Sequence, residues 1–247
     1  MIHGDQRDAF NLQFCVPSEC ARRLESGSAD LGIVPVVEMA RQQLLPIPGT
    51  GIACRGAVRS ILLISKVEPS SIQSLAVDSG SRTSVALARI ILRERHHCDP
   101  AILTMEPDLE SMLAQADAAL LIGDAALRVD PCDLPFLVMD LGKEWYDLTR
   151  LPMVFALWAG RPERVRSMLD RGADLQFHDS LQFGLSHMDA IVAAESARRV
   201  FPHSLVRDYL TRHIVFSIGP EEQKGLDTFL SHAAGLDTLV TSHQNAC

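Results

Sequence analysis

The chain contains no apolar run approaching the roughly 18 residues of a membrane-spanning helix. Its first stretch, MIHGDQRDAFNLQF, also lacks the basic region followed by an apolar one that marks an export signal. These two absences make a cytoplasmic location the expectation and give no reason to expect a membrane partner. Cysteine is sparse and unpatterned: the six, at 15, 20, 54, 98, 132 and 247, form no CxxC pair, which suits free thiols better than a disulfide frame. Positive charge is also short. With 23 Lys and Arg against 31 Asp and Glu, the net charge of -8 leaves no basic footprint for nucleic acid, so an anionic ligand needs a locally positive site. GxGxxG, GxSxG and the lysine-ended phosphate loop are all missing, which argues against nucleotide-binding enzymes and α/β-hydrolases. His96, His97 and Cys98 are adjacent rather than a helical turn apart, so they predict a solvated helix end and no metal.

The residues that are present suit a folded α/β protein. Of the 247 residues, 47% are hydrophobic and 22% charged, enough for a substantial core. Phe10, Leu12 and Phe14 alternate with polar residues and predict a short strand. Pro17 opens a helix that Gly27 stops. DLGIVPVVE (30–38) is apolar enough for a buried parallel strand with Pro35 at its end or at a bulge. LLPIPGTGIACRG reads as a linker. VRSILLIS (58–65), SLAVD, AILTM, DAALLIG, PFLVMDLG and LPMVFALWAG read as strands, with helices between several of them. This short alternation predicts βαβ crossovers and a mostly parallel sheet. After Gly160 the pattern is helical almost to the end. The block 66–154 reads as an α/β lobe inserted between 1–65 and 155–247, with two chain crossings and a cleft suited to a small molecule.

Three places could carry chemistry. DSGSRTSVALARIIL (78–92) gathers Ser81, Arg82, Thr83 and Ser84 at the start of an apolar helix. There, unpaired backbone N–H groups and the macrodipole attract a carboxylate or phosphate. One cap residue would suffice for an ordinary helix start, and the surplus of hydroxyls favours a site. Ser60 is a polar side chain inside an apolar strand, either bonded to a neighbouring carbonyl or facing a ligand. Gly123 and Asp124 end the DAALLIG strand, as a turn or as a wall where ligands bind in open α/β sheets. Trp145 and Trp158 flank the second predicted crossing and either pack there or close over a ring.

In combination, PSECARRLESGSADLGIVPVVEMAR, VRSILLIS, VDSGSRTSVALARIIL, DAALLIGDAAL, DLGKEWYDLTRLPMVFALWAG and YLTRHIVFSIGPEE resemble the succession in chorismate dehydratases of the futalosine route to menaquinone. The resemblance runs from Pro17 to Glu222. It implies a two-lobed, type II periplasmic-binding-protein-like α/β fold with mixed, mostly parallel sheets and a helical C-terminal region. It also implies a hydro-lyase that converts chorismate, a small dicarboxylate, to 3-[(1-carboxyvinyl)oxy]benzoate and water, with no metal or organic cofactor. By position it assigns Ser60 as the catalytic strand serine, Ser81, Arg82, Thr83 and Ser84 as the anion-binding turn, and Gly123 and Asp124 as the segment facing them. Sister enzymes later in the route carry histidine at about the position of Gly123, so the glycine favours the dehydratase. Family members have one more strand, with a cleft-lining asparagine, ahead of the position of Met1. The expectation is a start codon assigned too late, the alternatives being an inactive truncated paralogue or a non-catalytic solute-binding protein for a small carboxylate.

Overall fold

The structure is a computed structural model that describes residues 9–78 and 82–244, the side chains of Ser18 and of 237–244 excepted. The chain folds as two units, each built from discontinuous segments: Met1–Ala53 with Val154–Gly219, and Cys54–Met153 with Pro220–Cys247.

In the first unit, α1 (Pro17–Ser26) begins on proline and ends at Gly27, whose φ of 74° is the left-handed cap that glycine adopts without strain. β1 (Leu31–Pro35) runs straight into α2 (Val36–Arg41), with Pro35 at the junction. The parallel strand expected here is instead an antiparallel edge strand: Leu31 pairs with Gly160 and Pro35 with Ala156 on β8 (Met153–Gly160). An edge position tolerates a proline that cannot donate to a ladder. The expected linker is a ten-residue strand, β2 (Leu45–Cys54), despite two prolines and two glycines. Gly51 is required there, since a Cβ would come within 2.8 Å of the Ala156 carbonyl oxygen. The three-residue β9 (Val215–Ser217) pairs antiparallel with β2 and completes the order β1-β8-β2-β9. The strand expected around Phe10 to Phe14 does not form. Phe10 instead packs edge-to-face on Phe177 at 5.5 Å, while Phe14 is 80% exposed. Helices α7 (Pro162–Leu169), α8 (Ala173–Ser186), α9 (Met188–Arg199) and α10 (His203–Asp208) supply the helical region, and Val165 and Phe177 join Ile47 in this unit's core.

The second unit is built on β3 (Ile61–Ser65), β4 (Ser74–Val77), β5 (Ala101–Thr104), β6 (Ala118–Ile122) and β7 (Leu137–Asp140), in the order β5-β4-β6-β3-β7. β4 is parallel to β5 and β6, whereas β3 is antiparallel to β6 and β7. The sheets are therefore mixed as expected, but antiparallel pairs outnumber parallel ones among those described, which corrects the mostly parallel reading. β3 is buried along its whole length between two partners, so the lobe boundary expected after Ser65 falls after Ala53. Alternation puts Leu62 and Ile64 against Met112 and Leu113 of α4 (Leu109–Gln115) and Ala126 of α5 (Asp124–Arg128). α3 (Arg82–His96) buries Leu87, Ala88, Ile90, Ile91 and Leu92 and packs on α6 (Leu141–Thr149) and α11 (Pro220–Gln244). α11 was expected to cover the other lobe. It belongs here because the fully buried Phe229 meets Trp145 edge-to-face at 5.9 Å, and Gly225 lies too close to the Pro152 carbonyl for any side chain. The chain accordingly passes between the units three times, not twice. No described helix is long and apolar enough to cross a membrane.

Candidate functional site

Strand direction gathers the candidate residues. β4 and β6 are parallel, so both end at one edge of the second unit's sheet. β3 runs against β6 and β7, so its start lies at that edge beside the end of β7, with Ile61 opposite Ile122 and Leu62 opposite Asp140. Ser60, Gly123, Asp124, Asp140 and the start of α3 are thereby brought to one end of one sheet. This is the side of an α/β sheet on which ligands bind, beyond the carboxyl ends of the parallel strands.

Ser60 is 4% exposed, and its carbonyl accepts the Gly123 N–H at 2.7 Å, which welds the two predicted positions together. Gly123 sits at φ 64°, ψ -132°, where a side chain strains the backbone, although a Cβ there would meet nothing within 4 Å. The half-buried Asp124 opens α5 next to it. At the start of α3, Arg82 is exposed, but Thr83 and Ser84 are 1% and 2% exposed. A helix with its apolar face in the core turns every third or fourth position inward, and these two fall on that face. Ser81 lies outside the described residues.

Two residues at this edge escaped the sequence reading. The carboxylate of Asp140 accepts N–H bonds from Gly142 at 3.0 Å and Lys143 at 3.1 Å, capping α6, and from Val58 at 3.0 Å and Arg59 at 2.6 Å, holding the turn before Ser60. An aspartate directly before a helical stretch was a readable cap signal. Arg59 has φ 66°, which nothing in the residue type announces, and its guanidinium donates to the carbonyls of Ala126 at 2.9 Å and Val129 at 2.5 Å. Cys54, also near this edge, is no nucleophile: burial first, and the charge of Asp140 second, push its thiol well above the usual range.

Other candidates fall elsewhere. Trp145 is fully buried, with its indole N–H on the Pro152 carbonyl at 3.1 Å, and Trp158 stacks edge-to-face on Phe177 at 5.0 Å, so both serve packing. The Cys98 thiol donates to the Pro69 carbonyl at 3.2 Å. Among the described residues no three His, Cys, Asp or Glu side chains group as metal ligands. A cavity of about 200 Å³ between α3 and α11, lined by Ile90, Arg93, His232 and Leu236 among others, includes none of the site residues.

Residues 2–235 match the family model described as menaquinone biosynthesis. The chain belongs to that family. Chorismate dehydratase of Thermus thermophilus is 29% identical over 95% of this chain and 90% of its own. Among solved structures, a protein of Archaeoglobus fulgidus superposes with a TM-score of 0.69 at 15% identity, covering 91% of this chain and 85% of its own. The periplasmic aliphatic sulphonate binding protein of Escherichia coli superposes at 0.59 with 16% identity, covering 88% and 80%. A Candida albicans protein with the generic periplasmic-binding-protein fold gives 0.54 at 10% identity, covering 87% and 77%. These likenesses establish a periplasmic-binding-protein-like fold for this member of the menaquinone-biosynthesis family, with its candidate residues on the second unit.

Proposed function

We propose that the protein is a chorismate dehydratase, a carbon-oxygen lyase that takes chorismate to 3-[(1-carboxyvinyl)oxy]benzoate and water. The family membership and the dehydratase of Thermus thermophilus support the reaction class. The observation that carries the reading is the meeting of Ser60, Gly123, Asp124 and the start of α3 at one sheet end, with the Ser60 and Gly123 backbones bonded at 2.7 Å.

The chemistry asks little of a base. Loss of the ring hydroxyl and a neighbouring ring hydrogen aromatises the ring, so the protein's work is to hold the dianion and aim the leaving group. Arg82, Thr83, Ser84 and the first-turn N–H groups of α3 hold one carboxylate, and by sequence position Ser81 is assigned to the same task. Ser60 donates a hydrogen bond to the substrate, and the open space at Gly123 leaves room for the ring. Asp124 borders that space at the start of α5. The proton passes to a substrate carboxylate or to water, and the hydroxyl leaves with a proton as water. No step in this scheme asks for a metal or organic cofactor.

The test is to incubate purified protein with chorismate and follow the loss of one water by mass spectrometry. Turnover, with Ser60→Ala lowering kcat by about a hundredfold, supports the proposal. Stoichiometric binding of unchanged chorismate would assign a solute-binding protein, and neither binding nor turnover would sink both readings.

A further inference from the structure

We infer that Asp140 and Arg59 are the positioning pair of this site, fixing Ser60 and Gly123 relative to each other. This inference rests on the dehydratase reading above.

An ordinary helix cap needs only the bonds that Asp140 makes to Gly142 and Lys143. The same carboxylate also reaches more than 80 residues back in the chain to take the N–H groups of Val58 and Arg59, the two residues before Ser60. Arg59 is held in the left-handed region at φ 66°, a conformation that strains a non-glycine residue and persists only where its surroundings impose it. Its guanidinium then crosses to the end of α5 and donates to the carbonyls of Ala126, which also accepts the Val129 N–H at 3.3 Å, and of Val129 at the C-cap. Gly123 and Asp124 stand at the opposite end of that one-turn helix. The Ser60 carbonyl to Gly123 N–H bond is thus braced on the Ser60 side by Asp140 and on the Gly123 side by Arg59. Both charged side chains are committed to the backbone flanking the candidate site, and a misplacement of about 1 Å in such a frame is worth about a hundredfold in rate.

The sheet supplies its own control. Asp117, just before β6, accepts from the N–H groups of Gln73 and Ser74 and from the Ser74 hydroxyl, each at 3.0 Å. It is a carboxylate hub of the same kind at the far end of the same strands, holding no site residue.

The experiment compares the full chain with Asp140→Asn, Arg59→Gly and Asp117→Asn. It measures kcat and KM with chorismate, the thermal midpoint, and amide hydrogen exchange at Gly123. Asp140→Asn is expected to lower kcat about tenfold or more while KM moves less, and to speed exchange at Gly123. Arg59→Gly relieves the backbone strain, so it is expected to keep its thermal midpoint while kcat falls and exchange quickens, a split that a purely structural role does not produce. Asp117→Asn is expected to lower the midpoint with kcat within about twofold of the parent. Full kcat in Asp140→Asn and Arg59→Gly, unchanged Gly123 exchange, or an equal loss of kcat in Asp117→Asn would each overturn the inference. If the parent chain turns over no chorismate, the dehydratase reading falls and the Gly123 exchange rates alone decide whether the pair fixes this edge.

Discussion

Gly123 combines two properties that usually exclude each other: a backbone conformation closed to side chains and a side-chain position with nothing in it. Gly123→Ala therefore carries strain without a clash. It is expected to lower stability by about 1–3 kcal/mol in urea unfolding, with the protein remaining folded. Because the added methyl enters the space assigned to the ring, KM for chorismate is expected to rise more than stability alone explains, and steady-state kinetics reads that difference. The thiols divide by burial. Cys15 and Cys132 are exposed, burial pushes the Cys20 thiol up to about 11, and Cys54 is fully buried. An alkylating reagent at neutral pH is expected to modify Cys15 and Cys132 in the native protein and Cys54 only after denaturation, as peptide mass mapping would show. Labelling of native Cys54 at a comparable rate would mean that this edge of the sheet opens readily. At this scale Ser60, expected inside an apolar strand, stands just before β3, and Gly123 was legible as a glycine at a strand end. Arg59 was not, because a left-handed arginine is imposed by partners distant in the chain.

At the scale of elements, what could be read depended on whether the signal was local. α1, α3, β4 and β6 announce themselves through proline and glycine punctuation or apolar periodicity, and the structure contains all four. β2 hid behind Pro46, Pro48, Gly49 and Gly51, residues that break strands unless an edge or a close backbone approach calls for them. Phe10, Leu12 and Phe14 alternate as a strand does, but no neighbouring strand takes them up, and Phe10 serves the helical cluster instead. Strand direction was least legible, since an apolar run looks alike in either sense and only the partner settles it. The attachment of α11 was equally hidden, because it depends on contacts distant in sequence, among them Phe229 against Trp145 and Gly225 against Pro152. Phe229→Ala is expected to cost about 3–5 kcal/mol and to raise hydrogen exchange in α11 first. A loss under about 1 kcal/mol would show that this contact does not hold the helix.

For the whole molecule, acid sensitivity follows from groups whose protonation folding opposes. Burial, the largest cause, lowers the pKa of His96; nearby Arg95 and His97 act in the same direction, and Glu144 opposes them. Its folded pKa lies below the ordinary 6.5, so as pH falls past 6.5 the unfolded chain takes up this proton more readily and stability declines. Carboxylates follow at lower pH. Hydrogen bonds from Arg22 and Arg23 hold Glu19 at about 2 against its ordinary 4.5, and Asp108, Asp117, Asp147 and Glu195 are lowered by their own donors. Each contributes stability above its unfolded pKa and loses it as pH falls through the folded one. Because Asp108 is exposed and the other four are only half-buried, salt weakens the part of their contribution that is ion pairing. Urea midpoints measured against pH are therefore expected to fall in two stages, the first beginning below 6.5 and the second below 4.5. His96→Asn is expected to flatten the first stage and leave the second, while about 1 M salt shrinks the second more than the first. A first stage that persists in His96→Asn would show that His96 does not carry it.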